Sequence, residues 1–157
     1  MYRTTCADVY AYVVSLVGDA ATAEDVTALA FERAYRKRRS YDAQRGTPRQ
    51  WLFSIARNAG LDELRRRKRS ATLVPDAGEH TAGAAKADGT ADEAGGERAD
   101  DIRAAIARLH PRDRDLIALK FYAGLSNAEI ASTLGISESN AGTRLHRALG
   151  ALREAVA

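Results

Sequence analysis

Residues 126–149 constrain the fold of this chain more than any other part of the sequence. Ser126 and Glu129 have the spacing of a capping box at a helix start, and apolar residues flank them in hydrophobic-staple positions. Gly135 can take the left-handed backbone that ends a helix, and Ser137 can cap a second one. A short helix, a glycine-containing turn and a second capped helix are typical of a helix-turn-helix that docks on DNA.

The second helix of this motif predicts a face that reads DNA. Its apolar residues share one side and must pack inward: Ala141, Leu145, Ala148, Leu149 and Leu152. The opposite side has short hydrogen-bonding groups and cations near the helix N-terminus, where a recognition helix meets the major groove. A helical hairpin that only packs is the alternative interpretation. The residues predicted to contact duplex DNA are Ser137, Ser139, Asn140, Thr143, Arg144, His146 and Arg147.

The first 69 residues predict three more helices. Apolar residues at helical spacing are followed by Gly18, which predicts the end of the first helix. Thr22 is the expected cap of the second helix, with Glu24 and Asp25 in its first turn, where the helix dipole favours acids. The third helix starts at Thr47-Pro48-Arg49-Gln50, which combines a capping threonine, a proline at the first helical position and a capping-box glutamine.

Charge is distributed unevenly along the chain. The third helix ends in five consecutive cations, Arg65–Arg69, which predict a surface for a polyanion. A solvated helix end is the alternative interpretation, because cations also suit the C-terminal dipole. The net charge is +6 over residues 1–70, −6 over residues 71–101 and +3 over residues 102–157. Two basic blocks around an acidic stretch indicate two polyanion-facing domains on a tether.

The acidic stretch, residues 70–101, predicts a flexible linker. It has almost no large apolar side chain, so it cannot bury enough surface to offset the entropy of ordering. A ligand role for its acidic residues is the alternative. We therefore predict an all-α fold with a three-helix domain at residues 1–69, this flexible acidic linker, and a four-helix domain with the helix-turn-helix at residues 102–157.

Composition excludes several classes of function. The single cysteine, Cys6, cannot build a disulfide framework or a cysteine-rich zinc site. The sequence contains no apolar run near the roughly 18 residues of a membrane span, and its N-terminus lacks a signal-peptide pattern. We expect a cytoplasmic protein that is not an enzyme, with no metal, no cofactor, no membrane insertion and no small-molecule substrate.

Three stretches of the sequence resemble a known family. In them the chain is similar to bacterial RNA polymerase sigma factors of the extracytoplasmic-function group. The stretches cover nearly all of both basic blocks and skip the linker; the combination is specific, although many regulators share the C-terminal motif alone. They comprise Ala23–Val26 with Phe31–Ala34; Trp51–Asn58 with Leu61–Arg66; and Leu109–Asp115, Gly124–Ser126, Glu129–Ala131, Leu134–Ser137 and Arg144–Leu149.

The resemblance implies a division of labour between the domains. The second helix docks on the clamp helices of the polymerase β′ subunit, and the loop and helix after it engage the minus-ten promoter element, where the non-template strand is melted and a flipped base is held. The residues implied for core-polymerase binding are Glu24, Asp25, Val26, Leu29, Glu32, Arg33 and Arg36. Those implied for the minus-ten element are Arg38, Arg39, Arg45, Trp51, Arg57, Asn58, Asp62, Arg65, Arg66 and Arg69.

The same resemblance implies partners for the rest of the chain. The C-terminal domain contacts the polymerase β flap and reads the minus-35 element as duplex DNA, and the linker runs through the RNA exit path. The implied partners are thus core RNA polymerase and promoter DNA, together with an anti-sigma factor that controls the protein. Melting needs only tight binding to the single-stranded product, so no cofactor is implied.

The chain departs from the family pattern at two places. Where many relatives carry Gln-Glu in the second helix, this chain has Thr27-Ala28-Leu29. Where Thr-Val-Lys is common at the start of the recognition helix, it has Asn140-Ala141-Gly142, which loses a cation and gains a helix-weakening glycine. The minus-35 sequence that it reads therefore cannot be copied from relatives.

Two other classes of protein also use a C-terminal helix-turn-helix. An ordinary transcription factor predicts a ligand pocket or a phosphoacceptor in residues 1–70, and neither is found. A recombinase or nuclease predicts an activated nucleophile or clustered carboxylates. The N-terminal acids are scattered, and His80, His110 and His146 all lie outside the N-terminal block. The sequence favours a sigma factor.

Overall fold

The computed structural model describes residues 2–73 and 96–156, which fall into two compact helical units. The first unit contains α1 (Tyr2–Val17), α2 (Ala20–Arg36), a short 3-10 helix (Arg38–Ser40) and α3 (Pro48–Leu73). The second unit contains α4 (Gly96–Arg108), α5 (Pro111–Phe121), α6 (Asn127–Leu134) and α7 (Glu138–Val156). The predicted all-α fold, with three helices followed by four, is confirmed for the described residues.

Side chains from all three helices form the core of the first unit. Tyr12 of α1 and Phe53 of α3 are fully buried and meet edge to face, with their ring centroids 5.6 Å apart. This arrangement suits the quadrupoles of the two rings. α2 contributes the small buried residues Ala23, Val26 and Ala30, so its backbone can lie close to the other two helices.

α3 packs against α1 at a glycine. Gly60 is buried, and a Cβ atom built there would lie 2.6 Å from Cδ2 of Leu16. Carbon atoms in contact normally stay about 3.5–4.0 Å apart. Any side chain at this position must therefore displace Leu16 or separate the two helices.

α2 begins earlier than the sequence predicts. Asp19 is its N-cap, because the Asp19 carboxylate accepts hydrogen bonds from the Thr22 backbone N–H at 3.1 Å and from the Thr22 hydroxyl. The prediction that Thr22 caps the helix was wrong: Gly18, with a φ of 77°, turns the chain out of α1 and places Asp19 directly at the new start. As a result, Glu24 and Asp25 lie beyond the first turn.

Helices extend into both ends of the predicted flexible linker. α3 continues past Arg69 to Leu73, and α4 begins at Gly96, so both helices include residues of the predicted linker 70–101. The prediction of a flexible linker was wrong at these two ends, which are helical, and two physical effects explain the helices. An existing helix adds residues without a new nucleation cost, and Glu97 in the first turn of α4 suits the helix dipole. The rest of the predicted linker, residues 74–95, lies outside the described residues.

Leucine and isoleucine side chains form the core of the second unit. Leu116 and Leu119 of α5, Leu125 of the following turn, Ile130 of α6 and Leu145 of α7 are buried. α7 packs against α4, α5 and α6. The helix with the predicted DNA-reading face is therefore also the packing centre of this unit.

The predicted helix-turn-helix is confirmed at α6 and α7. The Ser126 hydroxyl accepts from the Glu129 backbone N–H, and the Glu129 carboxylate accepts from the Ser126 backbone N–H, both at 3.2 Å. Gly135 has a φ of 69° and ends α6. The Ser137 hydroxyl accepts from the Asn140 backbone N–H at 3.1 Å at the start of α7. These local bonds fix the turn between the two helices.

Candidate nucleic-acid interface

The outer face of α7 carries the groups predicted to read duplex DNA. Ala141, Leu145 and Ala148 are buried against the rest of the unit, which fixes the rotation of the helix. Hydroxyl, amide and guanidinium groups point the other way and can bind base edges and phosphates. Arg144 is half-buried on the flank, and the exposed members of the predicted set are Ser137, Ser139, Asn140, Thr143, His146 and Arg147.

Gly142 lies between this face and the packed side of α7. It is half-buried, and a Cβ atom built there would lie 3.6 Å from Nδ2 of Asn127 in α6, an ordinary van der Waals distance. The Asn127 side-chain oxygen accepts from Nζ of Lys120 at 3.4 Å. Gly142, one of the residues that differ from the family pattern, therefore faces α6. Asn140 and Thr143 lie on the exposed face of α7.

The basic end of α3 does not present five equivalent cations. Arg66 donates two hydrogen bonds to the Glu63 carboxylate, at 3.0 and 2.7 Å. These bonds lower the pKa of Glu63 and raise the pKa of Arg66. Nη1 of Arg65 lies 3.6 Å from Oδ1 of Asp62. Both arginines are thus oriented by acids one turn earlier in the same helix.

Arg67 does not contribute to this basic surface in the way its neighbours do. Its Nη2 donates to the Asp19 carboxylate at 3.1 Å and to the Thr22 hydroxyl, and its Nη1 donates to the Val17 carbonyl at 3.4 Å. The pKa of Asp19 is lowered, chiefly by the Thr22 hydroxyl and backbone N–H, with Arg67 adding to the effect. The third cation of the Arg65–Arg69 run therefore holds the α1–α2 turn, and the polyanion surface predicted for this run stays a prediction.

An open groove follows the basic end of α3. It is lined by Asp62, Arg65, Lys68, Arg69 and Thr72, which repeat at helical spacing. Three cations along one helix face form a positive track that suits a phosphate backbone. Lys68 belongs to the cation run predicted to face a polyanion, whereas Thr72, one turn beyond Arg69, was not among the predicted site residues.

The loop before α3 is held by its own contacts. The Tyr41 hydroxyl donates to the Gly46 carbonyl at 3.0 Å, and the Tyr41 ring meets Trp51 edge-on with centroids 5.6 Å apart. Nε of Arg45 lies 3.8 Å from Oδ2 of Asp42, and the Arg45 side chain is exposed. The loop therefore places the predicted Trp51 beside a second aromatic ring, Tyr41, that the sequence analysis did not select.

Most side chains predicted for the minus-ten element are accessible. Trp51 and Arg57 are half-buried at the side of α3. Of these residues, the groove brings together Asp62, Arg65 and Arg69. The exposed members of the set are Arg38, Arg39, Arg45, Asn58, Asp62, Arg65, Arg66 and Arg69.

The outer side of α2 combines acids with one apolar residue. Arg33 is half-buried, and its Nη1 lies 3.2 Å from Oδ2 of Asp62 in α3. Val26 is 3% exposed, so its side chain belongs to the core and is not available to a docking partner, contrary to the polymerase-binding prediction. The exposed members of the predicted polymerase-binding set are Glu24, Asp25, Leu29, Glu32 and Arg36.

Across residues 2–73 and 96–156, no three His, Cys, Asp or Glu side chains come together in a group that could hold a metal ion. Within the same ranges, no helix has the length and apolar character needed to cross a membrane.

Family models match both units of the chain. Residues 1–70 match sigma-70 region 2, and residues 99–152 match sigma-70 region 4. Over 156 residues the chain is 35% identical to the ECF RNA polymerase sigma factor SigL of Mycobacterium tuberculosis, which covers 98% of this chain and 85% of that protein. The chain belongs to the extracytoplasmic-function group of RNA polymerase sigma factors.

Further relatives of this sigma factor have the same description. It is 30% identical to SigK of Mycobacterium ulcerans over 158 residues, covering 97% of this chain and 81% of that protein. It is 31% identical to SigW of Bacillus subtilis over 153 residues, covering 93% and 81%. Residues 1–70 therefore form sigma region 2 and not an unrelated sensor domain.

Two solved structures share the fold of this sigma factor. One is the sigma factor RpoE in complex with the anti-sigma factor NepR from Bartonella quintana, with a TM-score of 0.76 and 23% identity, covering 97% of this chain and 91% of that one. The other is CnrH in complex with the cytosolic domain of CnrY, with a TM-score of 0.64 and 24% identity, covering 94% and 79%. At these identities the comparison establishes similarity of fold.

Proposed function

We propose that this sigma factor binds core RNA polymerase and directs promoter-specific initiation through two differently built DNA surfaces. The first unit engages the minus-ten element and the second reads the minus-35 element. The observation that carries this division is the contrast between the surfaces. α7 presents a capped recognition face on a helix-turn-helix, whereas α3 presents an open cationic groove toward its C-terminal end and the Tyr41–Trp51 aromatic pair at its N-terminal end.

The α7 face suits duplex DNA. An α-helix fits the major groove, where asparagine pairs with adenine and arginine with guanine by two hydrogen bonds each. Asn140 and Arg147 are exposed and are the side chains on this face with that capacity. Ser137, Ser139, Thr143, Arg144 and His146 then position the helix on phosphates and flanking bases.

The α3 groove and the loop before α3 together suit a melted strand. Strand separation needs no covalent chemistry, only preferential binding of the single-stranded product. Arg65, Lys68 and Arg69 supply a track for phosphates, and the Trp51 ring beside Tyr41 supplies an aromatic surface for an unstacked base. On this proposal the chain itself carries no catalytic step.

The outer side of α2 is the proposed docking surface for the polymerase β′ clamp helices. Glu24, Asp25 and Glu32 are exposed, and Asp25 and Glu32 stand one turn before and one turn after Leu29, which is 37% exposed. A partly exposed leucine among charges is a typical anchor for a protein partner. The β flap is the proposed partner of the second unit.

Control by an anti-sigma factor completes the proposal. Two structures of the same fold are complexes in which a sigma factor is held by an anti-sigma factor or by the cytosolic domain of a partner protein. An inhibitor that covers the basic surfaces of one or both units would block DNA binding. The proposed site of action is the cytoplasm, where polymerase meets the chromosome.

In-vitro transcription tests the proposal. Core polymerase with the full chain is expected to start at a defined site that core alone ignores, and Arg147→Ala should lose that start. Arg153→Ala is the matched control, because this exposed arginine lies in the last turn of the same helix. Tight duplex binding without polymerase, together with no start-site selection by the holoenzyme, would overturn the proposal.

A further inference from the structure

Tyr35 lies in the last turn of α2 and has no assigned role. Its side chain is 68% exposed, which is unusual for a large aromatic residue. The guanidinium carbon of Arg38 lies 4.2 Å from the centre of the Tyr35 ring. Nη1 of Arg38 also donates to the Tyr35 carbonyl at 2.8 Å. Two independent contacts therefore hold the guanidinium against the ring.

The Tyr35–Arg38 contact lies in a strongly basic segment. Residues 36–39 are four consecutive cations, all of them exposed. Arg36 is neutralised by Glu32, with Nη2 and Oε1 2.7 Å apart. Lys37 and Arg39 flank the stacked Arg38 and add to a local positive field that attracts polyanions.

We propose that Tyr35 and Arg38 form a binding site for one unstacked base of single-stranded DNA and its adjoining phosphate. The exposed ring stacks the base, and guanidinium N–H groups not directed at the Tyr35 carbonyl bind the phosphate. Aromatic rings next to arginine are the usual platform for sequence-tolerant binding of single strands. This site rests on the proposed function and extends it from the Trp51 region to the end of α2.

Single-stranded DNA fits this surface better than a protein partner does. The exposed acids and Leu29 proposed to dock on polymerase lie earlier in α2. Tyr35 instead adjoins the 3-10 helix that leads into the loop before α3. The site is also preorganised, since the guanidinium is already fixed over the ring, so a base loses little additional freedom on binding.

The test uses holoenzyme assembled from core polymerase and the full chain. The probe is an oligodeoxynucleotide with the non-template minus-ten strand of a promoter that the wild-type holoenzyme opens, with 2-aminopurine placed at successive positions. Tyr35→Ala should weaken binding about tenfold and relieve quenching at one position, because one stacked base is lost. Tyr35→Phe should bind as wild type. Lys37→Ala, which removes a neighbouring charge and spares the stacked contact, should cause only a small, salt-dependent loss.

Three other outcomes would contradict either the proposed function or the Tyr35 site. If wild-type holoenzyme does not bind the oligonucleotide, the proposed function fails. If wild type and Tyr35→Ala bind equally, only the Tyr35 site fails. If Tyr35→Ala weakens assembly with core polymerase in the absence of DNA and leaves oligonucleotide binding unchanged, the surface belongs to polymerase. Tyr35→Leu, which keeps an apolar side chain without a ring, serves as a second variant, and equal melting temperatures verify folding.

Discussion

Arg67 near the end of α3 and Asp19 at the N-cap of α2 form an ion pair, with Nη2 and Oδ2 3.1 Å apart. The two residues are 48 positions apart in the sequence. The contact ties the basic end of a 26-residue helix to the turn between α1 and α2. One cation of the Arg65–Arg69 run thus holds the run in place, while Arg65, Lys68 and Arg69 line the groove.

Acid should weaken the first unit through Asp19. The pKa of this carboxyl is lowered in the folded protein from its ordinary 3.8. Such a group adds stability that is fully present above its unfolded pKa and is lost as pH falls through the lower folded value. Thermal melting between pH 7 and pH 3 should therefore show a loss below about pH 4 that is smaller in Asp19→Asn. Identical acid profiles for the two proteins would contradict this role.

Substitution of Arg67 should lower the stability of the first unit, whereas substitution of Arg65 should weaken DNA binding. Arg67→Met keeps the aliphatic stem but removes the contacts with the α1–α2 turn, so the melting temperature of the first unit should fall. Arg65 is 72% exposed, and Arg65→Met should leave melting unchanged. In a salt titration of single-stranded DNA binding, Arg65→Met should lower the slope of log affinity against log salt by about one. If Arg67→Met melted like the wild type but had a smaller slope of log affinity against log salt, Arg67 would be a DNA contact and not a structural residue.

Sequence patterns predicted the second unit well because its signals are local. Ser126 and Glu129 bond to each other, and Gly135 ends α6 by its own backbone conformation. The basic end of α3 is different. Arg65 and Arg67 look alike in the sequence, and the partner that distinguishes Arg67 lies 48 residues away. No periodicity within α3 carries that information.

Two features of the first unit, the Asp19 cap and the Tyr35–Arg38 contact, could also have been predicted from the sequence. Asp19 directly follows a helix-stopping glycine, which is as good a cap signal as Thr22. Tyr35 and Arg38 stand three residues apart, a spacing that brings side chains together across a helix end. The burial of Val26 beside the exposed Leu29 depends instead on how α2 rotates against α1 and α3, which only tertiary packing decides.

Gly60→Ala should destabilise the first unit. The added methyl would lie 2.6 Å from Cδ2 of Leu16, and overpacking of this kind costs about 1–3 kcal/mol. The better helix propensity of alanine offsets at most about 1 kcal/mol of this cost. Denaturant unfolding measures the difference. Adding Leu16→Ala should make the Gly60→Ala substitution less costly, and strict additivity of the two changes would argue against the predicted clash.

Gly142→Ala should have the opposite effect on the second unit. The new methyl would lie 3.6 Å from Nδ2 of Asn127, which is ordinary contact, so α7 gains up to about 1 kcal/mol from helix propensity. Gly150→Ala is the matched control in the same helix, where a Cβ meets nothing within 4 Å. Both variants should raise the melting temperature, and a loss of stability in Gly142→Ala alone would mean that α6 and α7 pack more tightly at this point.

Asn140→Ala should relax base preference at one position of the minus-35 element. The Asn140 backbone N–H is already bonded to the Ser137 hydroxyl, so removing its side chain leaves the helix cap in place. Asparagine paired with adenine is worth about 1–3 kcal/mol of discrimination, a preference of roughly 5-fold to 150-fold at that base pair. Selection of minus-35 sequences by the holoenzyme measures it, with Arg153→Ala as a control on the same helix. A uniform loss of affinity for every sequence, with the preference unchanged, would place Asn140 on a phosphate instead of a base.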